Sequence, residues 1–275
     1  MRKLSRILLI FLLFAACSNQ PMKFERIYIK GSDTMLLLTE LLAEEYMKTH
    51  PGVSIYVNGG GTESGVRALI DGRCQICTAS RKLTPNEIQS IADKYGAVGI
   101  SYLIAKDALS IYINPDNPVS NLTKDELAGI FSCSIENWEE VGGMDAMIDL
   151  VLRPPNSGTY VYFREHILDD MNYCEDAMVK PTTEAVIEEV SSNISAIGYG
   201  GVGYNHSVVH VAINGFDPTH RNIRDDNYPI TRYLQFYTIN TAKGEVKDFI
   251  DWTLSPEGQK NILKAGFISL WDISY

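Results

Sequence analysis

Three times in this chain a short strand pattern runs into a turn of Gly, Ser and Thr and leaves as a helix. The turns are Gly31-Ser32-Asp33-Thr34, Gly59-Gly60-Gly61-Thr62-Glu63-Ser64-Gly65 and Asn156-Ser157-Gly158-Thr159. Strands alternating with helices predict an α/β fold with mainly parallel sheets. In such sheets ligands sit beyond the carboxyl ends of the strands, where these turns lie. A helix opening from a turn offers unpaired backbone N–H groups and the positive end of its dipole, a ready site for an oxyanion. One such turn is ordinary loop chemistry. Three that face one cleft would give a single anion hydroxyls, N–H groups and helix dipoles together. Arg81 and Arg153 sit beside such segments and could add always-charged bidentate donors.

The alternation continues along the chain. Arg26–Lys30 and Val53–Val57 read as strands, and MLLLTELLAEEYMKTH between them reads as a helix that Pro51-Gly52 stops. Ser32 or Asp33 is the expected cap of that helix. Gln75–Ala79 reads as a strand. Thr84-Pro85-Asn86-Glu87 and Thr123-Lys124-Asp125-Glu126 are capping boxes. Gly99–Ile104 and Leu109–Ile113 read as two strands on either side of Lys106-Asp107. Ile148–Arg153 feeds the third turn. A helix follows near Thr183–Val190, with short strands at Ser195–Tyr199, Val208–Ile213 and Leu234–Ile239. Two helices close the chain. There is no internal repeat and no Pro/Ser-rich linker.

The first residues read as an export leader rather than as fold. Arg2, Lys3 and Arg6 precede the apolar run Ile7–Phe14, too short to span a bilayer. Phe14-Ala15-Ala16-Cys17 resembles a bacterial lipobox, although Phe14 replaces the usual Leu. On that reading residues 1–16 are removed and Cys17 carries the lipid. The expectation is a protein anchored outside the cytoplasm. With the leader gone, 21 cations stand against 34 anions, a net −13. That balance argues against nucleic acid and anionic membrane surfaces as partners. A small anion is not excluded, because a buried site feels its local dipoles more than distant screened charges.

Cys74, Cys77, Cys133 and Cys174 remain, in a compartment that permits disulfides. Cys74-Gln-Ile-Cys77 lies in a predicted strand, where positions three apart face opposite ways. It reads as two buried thiols rather than a metal or redox motif, and the pairing within the four is left open. His206 and His210 have ligand-like spacing but flank a strand, so no metal is expected. No Gly-x-Ser-x-Gly elbow frames Ser64, Ser80 or Ser157 as a nucleophile. Gly198-Tyr199-Gly200-Gly201-Val202-Gly203 formally matches GxGxxG, but turn and strand follow it where a helix is required.

From Gly31-Ser32-Asp33-Thr34 onward the chain resembles the phosphate-binding proteins of phosphate ABC transporters, the PstS family, in its short form. The resemblance is carried by that turn, Gly61–Gly65, Ala79-Ser80-Arg81, Asn137-Trp138 with Val141-Gly142-Gly143, and Arg153 with Ser157-Gly158-Thr159. It continues through Ile197-Gly198-Tyr199, Tyr228-Pro229-Ile230 with Arg232, and Ser255–Gln259. It implies a type II periplasmic-binding-protein fold, two α/β lobes joined by two crossover strands. Lobe one would be 24–107 plus 226–275, and lobe two 108–225. It also implies that Ser32, Thr34, Thr62, Ser64, Ser80, Arg81, Arg153, Ser157, Gly158 and Thr159 bind phosphate between the lobes. The expected partners are inorganic phosphate and the permease of an ABC transporter, with the binding protein itself a monomer, no cofactor and no covalent chemistry.

Three positions depart from the family pattern. Glu63 stands where Gly is usual, Cys74 where Asp is common, and Arg81 in the slot that longer members give to Asp. A carboxylate beside the anion could accept the proton of monohydrogen phosphate and repel sulfate; Asp33 and Glu63 are the candidate acceptors. A binding protein for another oxyanion, a phosphate sensor or scavenger, and a secreted hydrolase are the alternatives.

Overall fold

The computed structural model describes residues 25–272; the expected leader and Cys17 lie outside the described residues. The chain begins with β1 (Glu25–Gly31), whose alternation buries Ile27 and Ile29 and leaves Arg26 and Tyr28 exposed. It continues through α1 (Leu36–Thr49), β2 (Val53–Asn58), α2 (Thr62–Ile70), β3 (Ile76–Ala79) and α3 (Pro85–Tyr95). Next come β4 (Ile100–Ile113), β5 (Asn121–Leu122), α4 (Lys124–Phe131), β6 (Asp149–Leu152), α5 (Gly158–His166), β7 (Met178–Val179) and α6 (Thr183–Ser192). The chain closes with β8 (Ala196–Gly201), β9 (Val209–Ile213), α7 (His220–Arg224), β10 (Thr231–Thr238), α8 (Gly244–Thr253) and α9 (Pro256–Lys264).

The strands form one continuous curled sheet in the order β2-β1-β3-β10-β4-β8-β6-β7, with β9 branching from β4 and carrying β5. β1 pairs in parallel with β2 and β3, and β6 with β7 and β8. β10 runs antiparallel to β3 and β4, and β4 antiparallel to β8 and β9. The sheet is therefore mixed, not mainly parallel. The antiparallel pairs are the ones made by β4 and β10, the strands that carry the chain across the middle.

The two strands expected on either side of Lys106-Asp107 are one strand of 14 residues, β4. Its stretch Ile100–Ala108 pairs with β10, and Leu109–Ile113 pairs with β8. The charged pair that reads as a break is satisfied inside the sheet. Lys106 Nζ donates to Asp226 Oδ1 at 2.6 Å, and Asp107 is paired with Arg232. Ion pairing lets both side chains stay buried without ending the strand.

Apolar residues fill both halves. Ile27, Leu38, Leu42, Phe236, Phe249 and Ile262 pack in one cluster, which Val151, Val186 and Tyr204 also join. Leu109, Ile111, Leu127, Phe131, Trp138, Phe163 and Tyr199 form the other. The capping boxes at Thr84 and Thr123 are both made. Ser32 and Asp33 do not cap α1 with their side chains; a 3₁₀ turn over Asp33–Met35 intervenes. Cys133 and Cys174 form a disulfide with Cα atoms 5.3 Å apart. Cys74 and Cys77 are buried free thiols, and burial pushes the Cys74 thiol up to about 11. His206 bonds Glu184 and the half-buried His210 bonds the Tyr204 carbonyl. Among the described residues no group of three or more His, Cys, Asp or Glu side chains could hold a metal.

Candidate anion-binding site

The three turns meet in the middle of the molecule. At the first, Thr34 Oγ1 lies 2.8 Å from Thr159 Oγ1 of the third. The Asp33 carboxylate does not cap a helix because it is used elsewhere: Gly60 N–H donates to Oδ1 at 2.8 Å and Arg153 Nη2 to Oδ2 at 2.7 Å. The Tyr204 hydroxyl donates to the Asp33 carbonyl at 2.7 Å. Asp33 thus ties the first turn to the second and, through Arg153, to the far half.

At the second turn Gly61 has φ +87° and lets the chain enter α2 directly. Thr62 is fully buried, and its Oγ1 accepts the Ser80 N–H at 3.4 Å. At the third turn Ser157 caps α5 by accepting the Thr159 N–H at 3.2 Å. Gly158 sits so close to the start of α2 and the end of β3 that a Cβ there would collide with Thr62 Oγ1 and come within 2.6 Å of Ser80 Oγ. Asn156 closes the seam: its side chain donates to the Gly60 carbonyl at 3.2 Å, and its own carbonyl accepts the Glu63 N–H at 3.3 Å.

The N-termini of α2 and α5 therefore face one another. Two positive dipole ends repel, and negative charge between them removes the repulsion. Two buried guanidinium groups lie beside them, each already paired with a carboxylate. Arg153, 1% exposed at the end of β6, donates to Thr183 Oγ1 and to the Pro181 carbonyl besides Asp33. Arg232, 4% exposed at the start of β10, donates from Nε to Asp107 Oδ2 at 2.9 Å and from Nη1 to Thr159 Oγ1 at 3.1 Å. Its Nη2 lies 2.8 Å from the same Asp107 oxygen without hydrogen-bond alignment. Burial pushes the Asp107 carboxyl above its ordinary value, and Arg232 pulls it back. Ser80 Oγ, Arg153 Nε and Arg232 Nη2 are buried donors with no hydrogen-bond partner. Such groups are rare in folded proteins, and an anion at this junction would supply the acceptors they lack.

Residues 19–257 match the PBP superfamily domain. The phosphate-binding protein PstS of Pseudomonas aeruginosa is 31% identical over 264 residues, covering 87% of this chain and 81% of that one. The Bacillus subtilis PstS is 32% identical over 248 residues, covering 89% and 81%. The chain belongs to the PstS family. Among solved structures, a phosphate ABC transporter substrate-binding protein from Clostridium perfringens, with bound phosphate, superposes with a TM-score of 0.83 at 29% identity. It covers 90% of this chain and 100% of that one. An ABC-type phosphate transport receptor from Vibrio cholerae gives 0.71 at 30% identity, covering 88% and 99%. The fold is the type II periplasmic-binding-protein fold.

Within this PstS frame the structure gathers Ser32, Asp33, Thr34, Thr62, Ser80, Arg153, Ser157, Gly158 and Thr159 around one buried junction. Three of the predicted residues point elsewhere. The Arg81 guanidinium is held by Glu87 in two bonds of 2.7 and 2.8 Å, and also donates to the Lys82 carbonyl. The Glu63 carboxylate is exposed on α2 and pairs with Arg67 one turn on. Ser64 returns its hydroxyl to the Gly61 carbonyl at 3.1 Å. Sequence reasoning missed Arg232 and Asp107 as site residues. A charged residue inside an apolar strand-length run was their signal, because such a residue stays in the strand only when its partner is buried beside it.

Proposed function

We propose that this chain is an extracytoplasmic solute-binding protein that captures inorganic phosphate between its two halves and delivers it to an ABC transporter. The observation that carries the reading is the meeting of two helix N-termini, two buried guanidinium groups and a set of hydroxyls at one buried junction. Hydrogen bonds to a charged group are the strong kind when water is excluded. Lobe one is taken as 24–107 plus 226–275 and lobe two as 108–225. The division is supported by β4, whose pairing changes from β10 to β8 between Ala108 and Leu109.

Asp33 is the proton acceptor in this account. Each of its oxygens already takes one donor and keeps a lone pair for a second. Monohydrogen phosphate can supply that hydrogen, and sulfate cannot. Glu63 faces Arg67 and solvent and takes no part. Cys17 supplies the lipid anchor, and the protein acts as a monomer without covalent chemistry. No histidine stands beside the hydroxyl of Ser64, Ser80 or Ser157 as a base: His50, His166, His210 and His220 bond backbone carbonyls, and His206 bonds Glu184.

Calorimetric titration with phosphate, arsenate and sulfate from acid to alkaline pH tests the reading. Phosphate and arsenate are expected to bind at one site and sulfate to give no heat. Thr159→Val removes a hydroxyl that would donate to the anion and should weaken phosphate by about 1.5–3 kcal/mol, roughly ten- to a hundredfold. Turnover of a phosphate ester would favour the hydrolase, and binding of sulfate alone would remove phosphate as the ligand.

A further inference from the structure

We propose that Arg232 and Asp107 are positioning residues that commit the Thr159 hydroxyl to donating its proton toward the anion. This rests on the phosphate reading above. The two residues are directly opposite in the antiparallel register of β10 and β4. Asp107 is fully buried, and it takes both the Nε bond and the Nη2 charge of Arg232 on one oxygen. Its other oxygen accepts the Val202 N–H at 3.1 Å, from the end of β8 in the other half. The guanidinium is thereby fixed by an anchor that touches both halves. Its remaining arm, Nη1, reaches Thr159 Oγ1.

The consequence follows from the donor inventory. A guanidinium carries donors and no acceptor, whereas a hydroxyl has one proton and two lone pairs. Thr159 can only accept from Arg232, so its single proton must leave on the other side. That side holds Thr34 Oγ1, at 2.8 Å. An anion without protons to spare needs every surrounding hydroxyl to donate. Without Arg232 the Thr159 hydroxyl could equally accept from Thr34 and present a lone pair to the ligand. The Tyr162 ring, 5.6 Å from the guanidinium carbon, and the Asp107 anchor leave Arg232 little freedom to swing away. Arg232 thus acts through Thr159, and its charge is largely spent on Asp107.

Removing Arg232 alone would strand a buried carboxylate, so the test is the paired variant Asp107→Asn with Arg232→Gln. The purified proteins are titrated with inorganic phosphate, with thermal melts and circular dichroism alongside. Wild type is expected to bind, and the paired variant to bind at least tenfold more weakly while still melting cooperatively. In a Thr159→Val background the same paired change is expected to cost less than threefold, because its effect runs through that hydroxyl. Arg232→Lys keeps the charge but not the fork, and should also weaken binding if the paired variant does not fold. Binding within threefold of wild type by the folded variants overturns the assignment. So does a loss of equal size with and without the Thr159 hydroxyl, which would mark a general electrostatic or structural role. A wild-type protein that gives no response to phosphate removes the phosphate reading and this assignment with it.

Discussion

Gly158 shows how closely single residues define the site. It opens α5 in ordinary helical geometry, so Ala would suit the helix better than Gly does. Yet an added methyl would strike Thr62 Oγ1 and crowd Ser80 Oγ across the seam. Gly158→Ala should therefore lower the melting temperature, because the clash with buried Thr62 and Ser80 outweighs the gain in helix propensity, and should weaken phosphate binding at least tenfold, as read by calorimetry beside a melt. The hydroxyl-rich turns that make this contact are legible in the sequence, because three of them recur between strand and helix in one chain, although each alone is ordinary loop chemistry. Which way a long side chain turns is not legible. Arg81 follows Ser80 directly and carries the right charge, but Glu87 lies close enough to hold its guanidinium in a fork. Arg232, seventy-nine positions beyond Arg153 in sequence, is the guanidinium that reaches the Thr159 hydroxyl instead.

At the scale of elements, the start of α3 joins local and tertiary structure. Glu87 completes the capping box by accepting the Thr84 N–H at 2.7 Å and also holds Arg81. Burial alone would raise its carboxyl, but the Arg81 bond and the Thr84 N–H outweigh it and hold the group below its ordinary 4.5. A depressed folded value means that the carboxylate adds stability above 4.5, and that this is lost as pH falls through the folded value. Glu87→Gln should lower the urea midpoint at pH 7 and narrow its drop between pH 7 and acid. An equal drop in both proteins would contradict that assignment. β4 teaches the complementary lesson. The capping boxes were readable because they are local patterns, three residues apart. The continuity of β4 through Lys106-Asp107 was not, because it depends on Asp226 and Arg232, more than a hundred positions away.

For the whole molecule, alternating strands and helices announced an α/β fold, and the family resemblance supplied the two lobes and their arrangement. Composition could not show the sheet to be mixed, since strand direction is set by where β4 and β10 cross. Nor could it pair Cys133 with Cys174, which are brought together by the packing of α4 against the segment after α5. Closing a loop of that length restricts the unfolded chain by about 3–4 kcal/mol. Cys133→Ser with Cys174→Ser should lower unfolding free energy by roughly 2–4 kcal/mol in denaturant titration, with phosphate affinity within threefold of wild type because none of the site residues lies on that bridge. The central claim is that both halves clasp one anion. Diffraction from crystals grown with phosphate tests it most directly. The account predicts phosphate bonded to Thr34, Thr62 or Ser80 from one half and to Arg153, Ser157 or Thr159 from the other; phosphate bound elsewhere, or held by one half alone, would contradict it.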